Sequence, residues 1–336
     1  MLDASEVGQK LILSAGYWSG ASVLANRFLS PSGGILMLHR VNRGGPSPLG
    51  VNSHLTISPE FLDRLLSDLR GGGLSFVSMD EMVDGLQHRR KGMIAVTLDD
   101  GWLDNFTDGL PVFQSHGVPF TVYATTGFMS AQVEPWWELA EEFVARGGEI
   151  RSLGHRGESL RQRALRLMRY ISAEMDEQDQ QAFLARIGAI DTAAPRRFMD
   201  WNELRVLAAH PLATIGAHTV HHYNLRRLDE ASAFSELVGS ADHIEREIGV
   251  RPKHFAYPYG SANAAGAREL DLARRAGFQS AVTTRHGVLM PEHRHHLHAL
   301  PRISINGNYQ RISYARTLLS GLTTLLANRG QRLVTL

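Results

Sequence analysis

A chain of 336 residues, 43% hydrophobic and 21% charged, is long enough to bury one large core or one core with an inserted subdomain. With 35 basic against 34 acidic side chains, the net charge of +1 gives no global reason to bind nucleic acid. The absence of cysteine excludes disulfides and thiolate metal ligands, and no uninterrupted run of 18 apolar residues suggests a spanning helix. Residues 1–32 read as a helical extension. The apolar stretch around Leu11-Ile12-Leu13 follows Asp3 and Glu6 against a single Lys10, whereas export signals start basic. We therefore expect an amphipathic helix of the folded protein and action in the cytoplasm.

After the break Pro31 to Gly34, Ile35 to Leu38 reads as a buried strand delivering His39 at its end. Ser58 can cap a helix beginning at Pro59, whose apolar face is Phe61, Leu62, Leu65, Leu66 and Leu69 and which Gly71-Gly72-Gly73 ends. Phe76 to Met79 is expected as a short strand, with Asp80 capping the next helix. Met93 to Leu98 is a further strand, Leu110 to His116 a helix, and Pro119 to Thr125 a strand. This alternation implies a parallel sheet with helical crossovers, covered on both faces. Residues of about 130–200 break the rhythm and read as an inserted helical subdomain led by Trp136-Trp137. Its segment Leu160 to Met175 carries Arg161, Arg163, Arg166 and Arg169, either a solvated face or a clamp for a lipid- or nucleotide-linked sugar. A long helix from Glu230 to Ile248 and a strand from Ser280 to Thr284 follow. Residues 311–336 read as a C-terminal helix with basic flanks, packed or in contact with a membrane surface.

Two strings carry chemistry. Thr97-Leu98-Asp99-Asp100-Gly101 ends an apolar run in two adjacent acids; one can bind a cation while the other handles a proton. His218-Thr219-Val220-His221-His222 ends another apolar run in histidines four residues apart, able to reach the same cation. Two His and one Asp leave positions open for water and substrate. The run His293-Arg294-His295-His296-Leu297-His298 looks like a metal tract but reads more simply as an exposed loop.

These strings resemble the first two motifs of the polysaccharide deacetylases (NodB-homology, carbohydrate esterase family four), where the first is usually Thr-Phe-Asp-Asp-Gly and the second His-Ser/Thr-x-x-His. Phe255-Ala256-Tyr257-Pro258-Tyr259-Gly260 resembles the third, with Ala256 where many members carry arginine. Leu300-Pro301-Arg302 sits near the last motif, which normally contains a histidine. The resemblance implies an irregular, seven-stranded (β/α) barrel over residues 33–310. Its active rim would lie at the C-terminal strand ends, where His39, Asp99, Asp100, His218 and His222 fall.

It further implies Asp99 as general base, and Asp100, His218 and His222 as ligands of a divalent cation, Zn²⁺ first, with Co²⁺, Ni²⁺ or Fe²⁺ as alternatives. The Tyr259 backbone N–H would bind the oxyanion. Arg302 can substitute for the arginine missing at Ala256, and His39 is the leading general acid, ahead of His286 and His298. Pro258, Trp136 and Arg302 are candidate substrate contacts, Trp136 either stacking on a sugar or packing the insert on the barrel. The implied substrate is an N-acylated sugar or glycan of a surface polysaccharide, glycolipid or precursor. A formamido-sugar deformylase and a non-catalytic carbohydrate-binding barrel are the alternatives.

Overall fold

The computed structural model describes residues 4–44, 47–154, 157–191 and 194–335, so Asp3 lies outside the described residues. Seven parallel strands close into a ring: β1 (Gly33–Leu38), β2 (Met93–Asp100), β3 (Phe120–Ala124), β4 (Ala213–Ala217), β5 (His254–Ala256), β6 (Ser280–His286) and β7 (Leu300–Ser304). Each pairs with its successor, and β7 returns to β1. Closure brings β1 so near β2 that a Cβ on Gly33 would lie 1.8 Å from the Met93 carbonyl oxygen. Only glycine fits there.

Strand alternation divides each strand between two layers. Ile35, Met93, Ala95, Tyr123, Ala256, Val282 and Leu300 fill the barrel interior. Leu36, Leu38, Val96, Leu98, Val122, Phe255 and Ile303 face the surrounding helices. By the same parity Thr97, Asp99 and Arg302 point inward, at the end of the barrel where the strands finish. β2 runs two residues beyond the expected strand, carrying both acids inside the hydrogen-bonded sheet.

The surrounding helices follow their caps. In α3 (Pro59–Gly71) Ser58 Oγ accepts from the Phe61 N–H. In α4 (Met79–Gln87) the cap is Ser78, in a reciprocal box with Glu81, and not Asp80. The expected strand over Phe76 to Met79 shrinks to Ser75–Phe76, because that box starts the helix early. The insert forms a separate apolar cluster from α5 (Trp136–Ala145), α6 (Leu160–Glu174) and α7 (Gln180–Arg186), packed over Trp102, Phe128 and Phe198 of the barrel. On α6, Arg163 pairs with Glu149 and Arg166 with Glu158, both within the insert. After α8 (Glu230–Ile248), which has the expected bounds, the C-terminal stretch forms two helices where one was expected, α9 (Ile312–Leu319) and α10 (Leu322–Ala327), broken at Gly321 with φ 82°. They pack on α1 (Ala4–Trp18) and α2 (Ala21–Leu29); Thr317 Oγ1 donates to the Leu13 carbonyl at 3.0 Å. The His293 run forms short helical turns in which His295 and His296 are exposed, whereas His293 is fully buried between the Met290 and Val334 carbonyls.

Two glutamates of α5 are buried, and one of them holds the insert in place. Glu141 accepts from Ser47 Oγ and from the Leu49, Val51 and Asn52 N–H groups at 2.8–3.2 Å, drawing the loop after β1 onto α5. Removing its carboxylate orphans four donors, so Glu141→Ala should cost about 3 kcal/mol, read as a lower denaturant midpoint. Glu138 is also buried, and burial raises its carboxyl from 4.5 to about 7 despite the attraction of Arg40, 3.8 Å away. With the folded value above the unfolded one, stability is undiminished at pH 4 and falls as pH rises from about 4.5 to 7. Glu138→Gln should therefore stabilise the protein at pH 8 by roughly 3 kcal/mol and leave it unchanged near pH 4, as urea titrations at both pH values will measure.

Candidate functional site

Asp99 is the last inward residue of β2, and Arg302 enters the interior from β7, on the other side of β1. The two form a bidentate pair, with Arg302 NH1 and NH2 each 2.7 Å from an Asp99 oxygen. Arg302 Nε donates to the Thr283 carbonyl at 2.9 Å and NH1 also reaches Thr97 Oγ1 at 3.1 Å. Both residues are buried, Asp99 at 2% and Arg302 at 1% exposure. Burial pushes the Asp99 carboxyl up, but the guanidinium outweighs it and leaves the group below the usual carboxylate range. Asp99 is thus held as an anion with its geometry fixed.

Asp100 would point away from the interior in a regular strand, but its φ of 75° turns the chain at the strand end. Its Oδ1 lies 3.4 Å from His218 Nε2 and 3.3 Å from His222 Nε2. The three ligand atoms fall within 4.8 Å of one another, and all three residues are buried. His218 Nδ1 lies 2.7 Å from the Ala256 carbonyl and must donate to it, so the neutral ring presents a lone pair at Nε2. Asp100 Oδ2 accepts from Trp102 Nε1 at 2.9 Å, whereas Oδ1 is buried without a hydrogen bond. Burial raises the Asp100 carboxyl, but the two histidines bring it well below the normal range; burial lowers His222, favouring the neutral ring that ligates metals. Converging lone pairs around an orphaned carboxylate oxygen fit a divalent cation held by Asp100, His218 and His222.

His221, between the two histidines, is turned away: its Nδ1 lies 2.5 Å from Glu236 Oε1 on α8, while Glu236 Oε2 accepts the Val220 and His221 N–H groups. That clamp sets which histidine faces the centre. Of eight non-glycine residues with positive φ among the described residues, four lie in the motifs: Asp100, Thr219, His222 and Tyr259.

At Tyr259 the φ is 60°, its carbonyl accepts from Thr284 Oγ1 at 2.5 Å, and its backbone N–H makes no hydrogen bond among the described residues. Gly260 follows because a Cβ there would lie 2.5 Å from the Thr284 nitrogen. The Tyr259 ring meets His222 edge-on at 5.0 Å, and its hydroxyl accepts from Trp136 Nε1 at 2.8 Å. Trp137 lies across the other side of His222, 4.9 Å between ring centres. The insert therefore roofs the cluster with two indoles.

His39 stands half-exposed at the end of β1, within electrostatic reach of Asp99, Asp100 and His222. The other two candidate acids are held by the scaffold, His286 on Thr323 Oγ1 and His298 on the Phe278 carbonyl. Three residues assigned to substrate contact sit elsewhere. Arg302 is buried under Asp99, with four of its five N–H groups engaged by Asp99, Thr283 and Thr97. Trp136 is only 9% exposed and packs insert against barrel, offering no open face for stacking. Pro258 is buried, and its carbonyl accepts the Gly260 N–H at 2.7 Å, so it shapes the turn. Two residues escaped the sequence reading. Trp102, two positions after Asp100, could have been found from its adjacency; Glu236 carries no local signal, lying 14 residues beyond His222 on a helix.

Residues 87–281 match the sequence profile of the family described as polysaccharide deacetylase. Among solved structures, the chain is similar to the Streptococcus pyogenes deacetylase PplD in complex with acetate, at 18% identity and TM-score 0.59, over 86% of this chain and 99% of that one. The de-N-acetylase from Aggregatibacter actinomycetemcomitans (14% identity, TM-score 0.57, 85% and 99% covered) and IcaB from Ammonifex degensii (19%, 0.54, 86% and 98%) share the fold. No curated protein sequence matches. With its family profile spanning more than half of the chain, this protein belongs to the polysaccharide deacetylase family.

Proposed function

We propose that the protein removes the N-acetyl group of an amino sugar in a surface polysaccharide, a glycolipid or one of their precursors, by metal-dependent hydrolysis. The observation that carries this reading is the juxtaposition of an arginine-held carboxylate, Asp99, with the buried Asp100–His218–His222 cluster. A divalent cation held by that cluster, Zn²⁺ first and Co²⁺, Ni²⁺ or Fe²⁺ as alternatives, would supply the Lewis acidity by which hydrolytic metal sites obtain a nucleophile from water near neutral pH.

The chain's own residues do the rest. Asp99, anionic and immobile on Arg302, takes the proton of the water that attacks the amide carbonyl. The Tyr259 N–H, fixed by its left-handed backbone, donates to the oxyanion that develops on that carbonyl. His39, at the open side of the rim, gives a proton to the departing sugar amine; acetate and the free amine leave. Trp136 and Trp137 keep bulk water from the cluster.

A purely carbohydrate-binding role rests on the missing arginine at Ala256 and on the missing histidine of the last motif. Ala256 lines the barrel interior, and Arg302 enters that interior from β7, which supports a base still oriented by an arginine.

Assays with acetylated and formylated amino-sugar oligosaccharides should give acetate from the former. Asp99→Asn should lower the rate at least about a thousandfold with metal content retained, and His218→Ala should lose both metal and activity. Release of formate alone would redirect the reading to a deformylase, and metal binding without release of either would leave a binding protein. Without the guanidinium, burial dominates at Asp99 and its pKa rises. Arg302→Gln should therefore move the acidic limb of the kcat/KM profile to higher pH, while Arg302→Lys should move it less.

A further inference from the structure

Seven of the twelve exposed large apolar side chains among the described residues fall in one 22-residue stretch: Val7, Leu11, Ile12, Trp18, Val23, Leu24 and Phe28. Trp18 and Phe28 are 81% and 84% exposed. A helix on a protein surface normally turns its polar side outward. Here α2 buries Ser22, Ala25 and Leu29 and shows Val23, Leu24 and Phe28 to solvent, and α1 likewise shows Val7, Leu11 and Trp18. Leu326 of α10, beside α2, is 60% exposed and extends the face.

Beside this face runs a groove of about 930 Å³ between α2, α3 and α9, with Leu69, Leu74, Ile94 and Leu319 along it and the exposed Arg27 and Lys91 on its border. Charge selects the occupant. Residues 1–32 and 311–336 hold six basic residues against two acids, Asp3 and Glu6, whereas the rest of the chain holds 29 against 32. Among the described residues Arg27, Arg311 and Arg329 make no ion pair. Two copies of so basic a face would repel one another, whereas anionic headgroups would be drawn to it. No helix of the described residues is long and apolar enough to cross a membrane, so the helices would lie in the interface, with Trp18 at headgroup depth.

We infer that α1 and α2 form a docking surface for an anionic phospholipid bilayer, with the neighbouring groove able to take an acyl chain. The surface takes in Leu326 and the basic residues of the two C-terminal helices, which themselves pack on α1, α2 and α3. The inference stands independently of the catalytic reading.

The test is co-sedimentation of the full-length protein with phosphatidylcholine vesicles containing about 30% phosphatidylglycerol, and with pure phosphatidylcholine vesicles, at low and high salt. The expected result is binding to the anionic vesicles that is at least about tenfold tighter than to neutral ones and weakens with salt. Trp18→Ser combined with Phe28→Ser should reduce it at least about tenfold with an unchanged thermal melt, since both side chains are exposed; Arg27→Glu should reduce it less. No binding to either vesicle, or binding indifferent to the double substitution, would overturn the inference. So would a concentration-dependent dimer in sedimentation velocity that the same substitutions dissolve, because the face would then belong to a second copy.

Discussion

Two charges taken out of water, the Asp99 carboxylate and the Arg302 guanidinium, set the conditions for everything at the top of this barrel. A buried ion pair is tolerable only when its geometry is good and its remaining donors are satisfied. The pairing is bidentate, and Thr283 and Thr97 accept two more of the five guanidinium N–H groups. The interior must also leave room for so long a side chain. Ala95 and Ala256 line it, and Gly216 leaves the Tyr123 ring in place where a Cβ would come within 2.4 Å of it. The Tyr123 ring lies beneath the guanidinium, 5.9 Å from its centre. An arginine entering from β7 therefore goes with a small residue on β5. The absence at Ala256 and the presence at Arg302 are one packing solution.

What was legible in the sequence follows from how local each feature is. The apolar runs ending in Asp99-Asp100 and in His218 announce strand ends because strand burial and rim position are both encoded within a few residues. α3 and α8 were readable from Ser58-Pro59 and from an unbroken helical stretch from Glu230 to Ile248. For Trp136 and Arg302 the sequence left substrate contact open beside packing and beside pairing with the base, because exposure is a tertiary property; the burial of both favours the second reading of each. The Asp80 cap failed because two adjacent polar residues compete for one helix start, and Ser78 wins through its reciprocal bond with Glu81. Glu236 was illegible because its role depends on α8 lying beside β4, which no short-range pattern states.

The insert does more than decorate the barrel. Its α5 lays Trp137 against His222 and hydrogen-bonds Trp136 to Tyr259, while Glu141 ties down the loop after β1. The same helix carries Glu138, a carboxyl neutral over much of the acidic range. Lower dielectric above the cluster strengthens the attraction between Asp100 and anything cationic beside it. The cover is thus an electrostatic element as well as a steric one.

Backbone strain explains why so much of the protein converges on four residues. A non-glycine residue in the left-handed region costs on the order of 1–3 kcal/mol, and Asp100, Thr219, His222 and Tyr259 all sit there. Glycine would avoid the cost at each position, but Asp100 and His222 must present side chains to the centre, and the Thr219 hydroxyl accepts the His222 N–H at 3.0 Å. The strain is therefore inseparable from the ligand set. It persists because neighbours over-determine it: Trp102 grips Asp100, Glu236 fixes the chain before His222, Thr284 holds the Tyr259 carbonyl and Trp136 its hydroxyl. Trp102 comes from the continuation of β2, Thr284 from β6 itself, Glu236 from a crossover helix and Trp136 from the insert. A rim geometry that no single element could sustain is held from four directions.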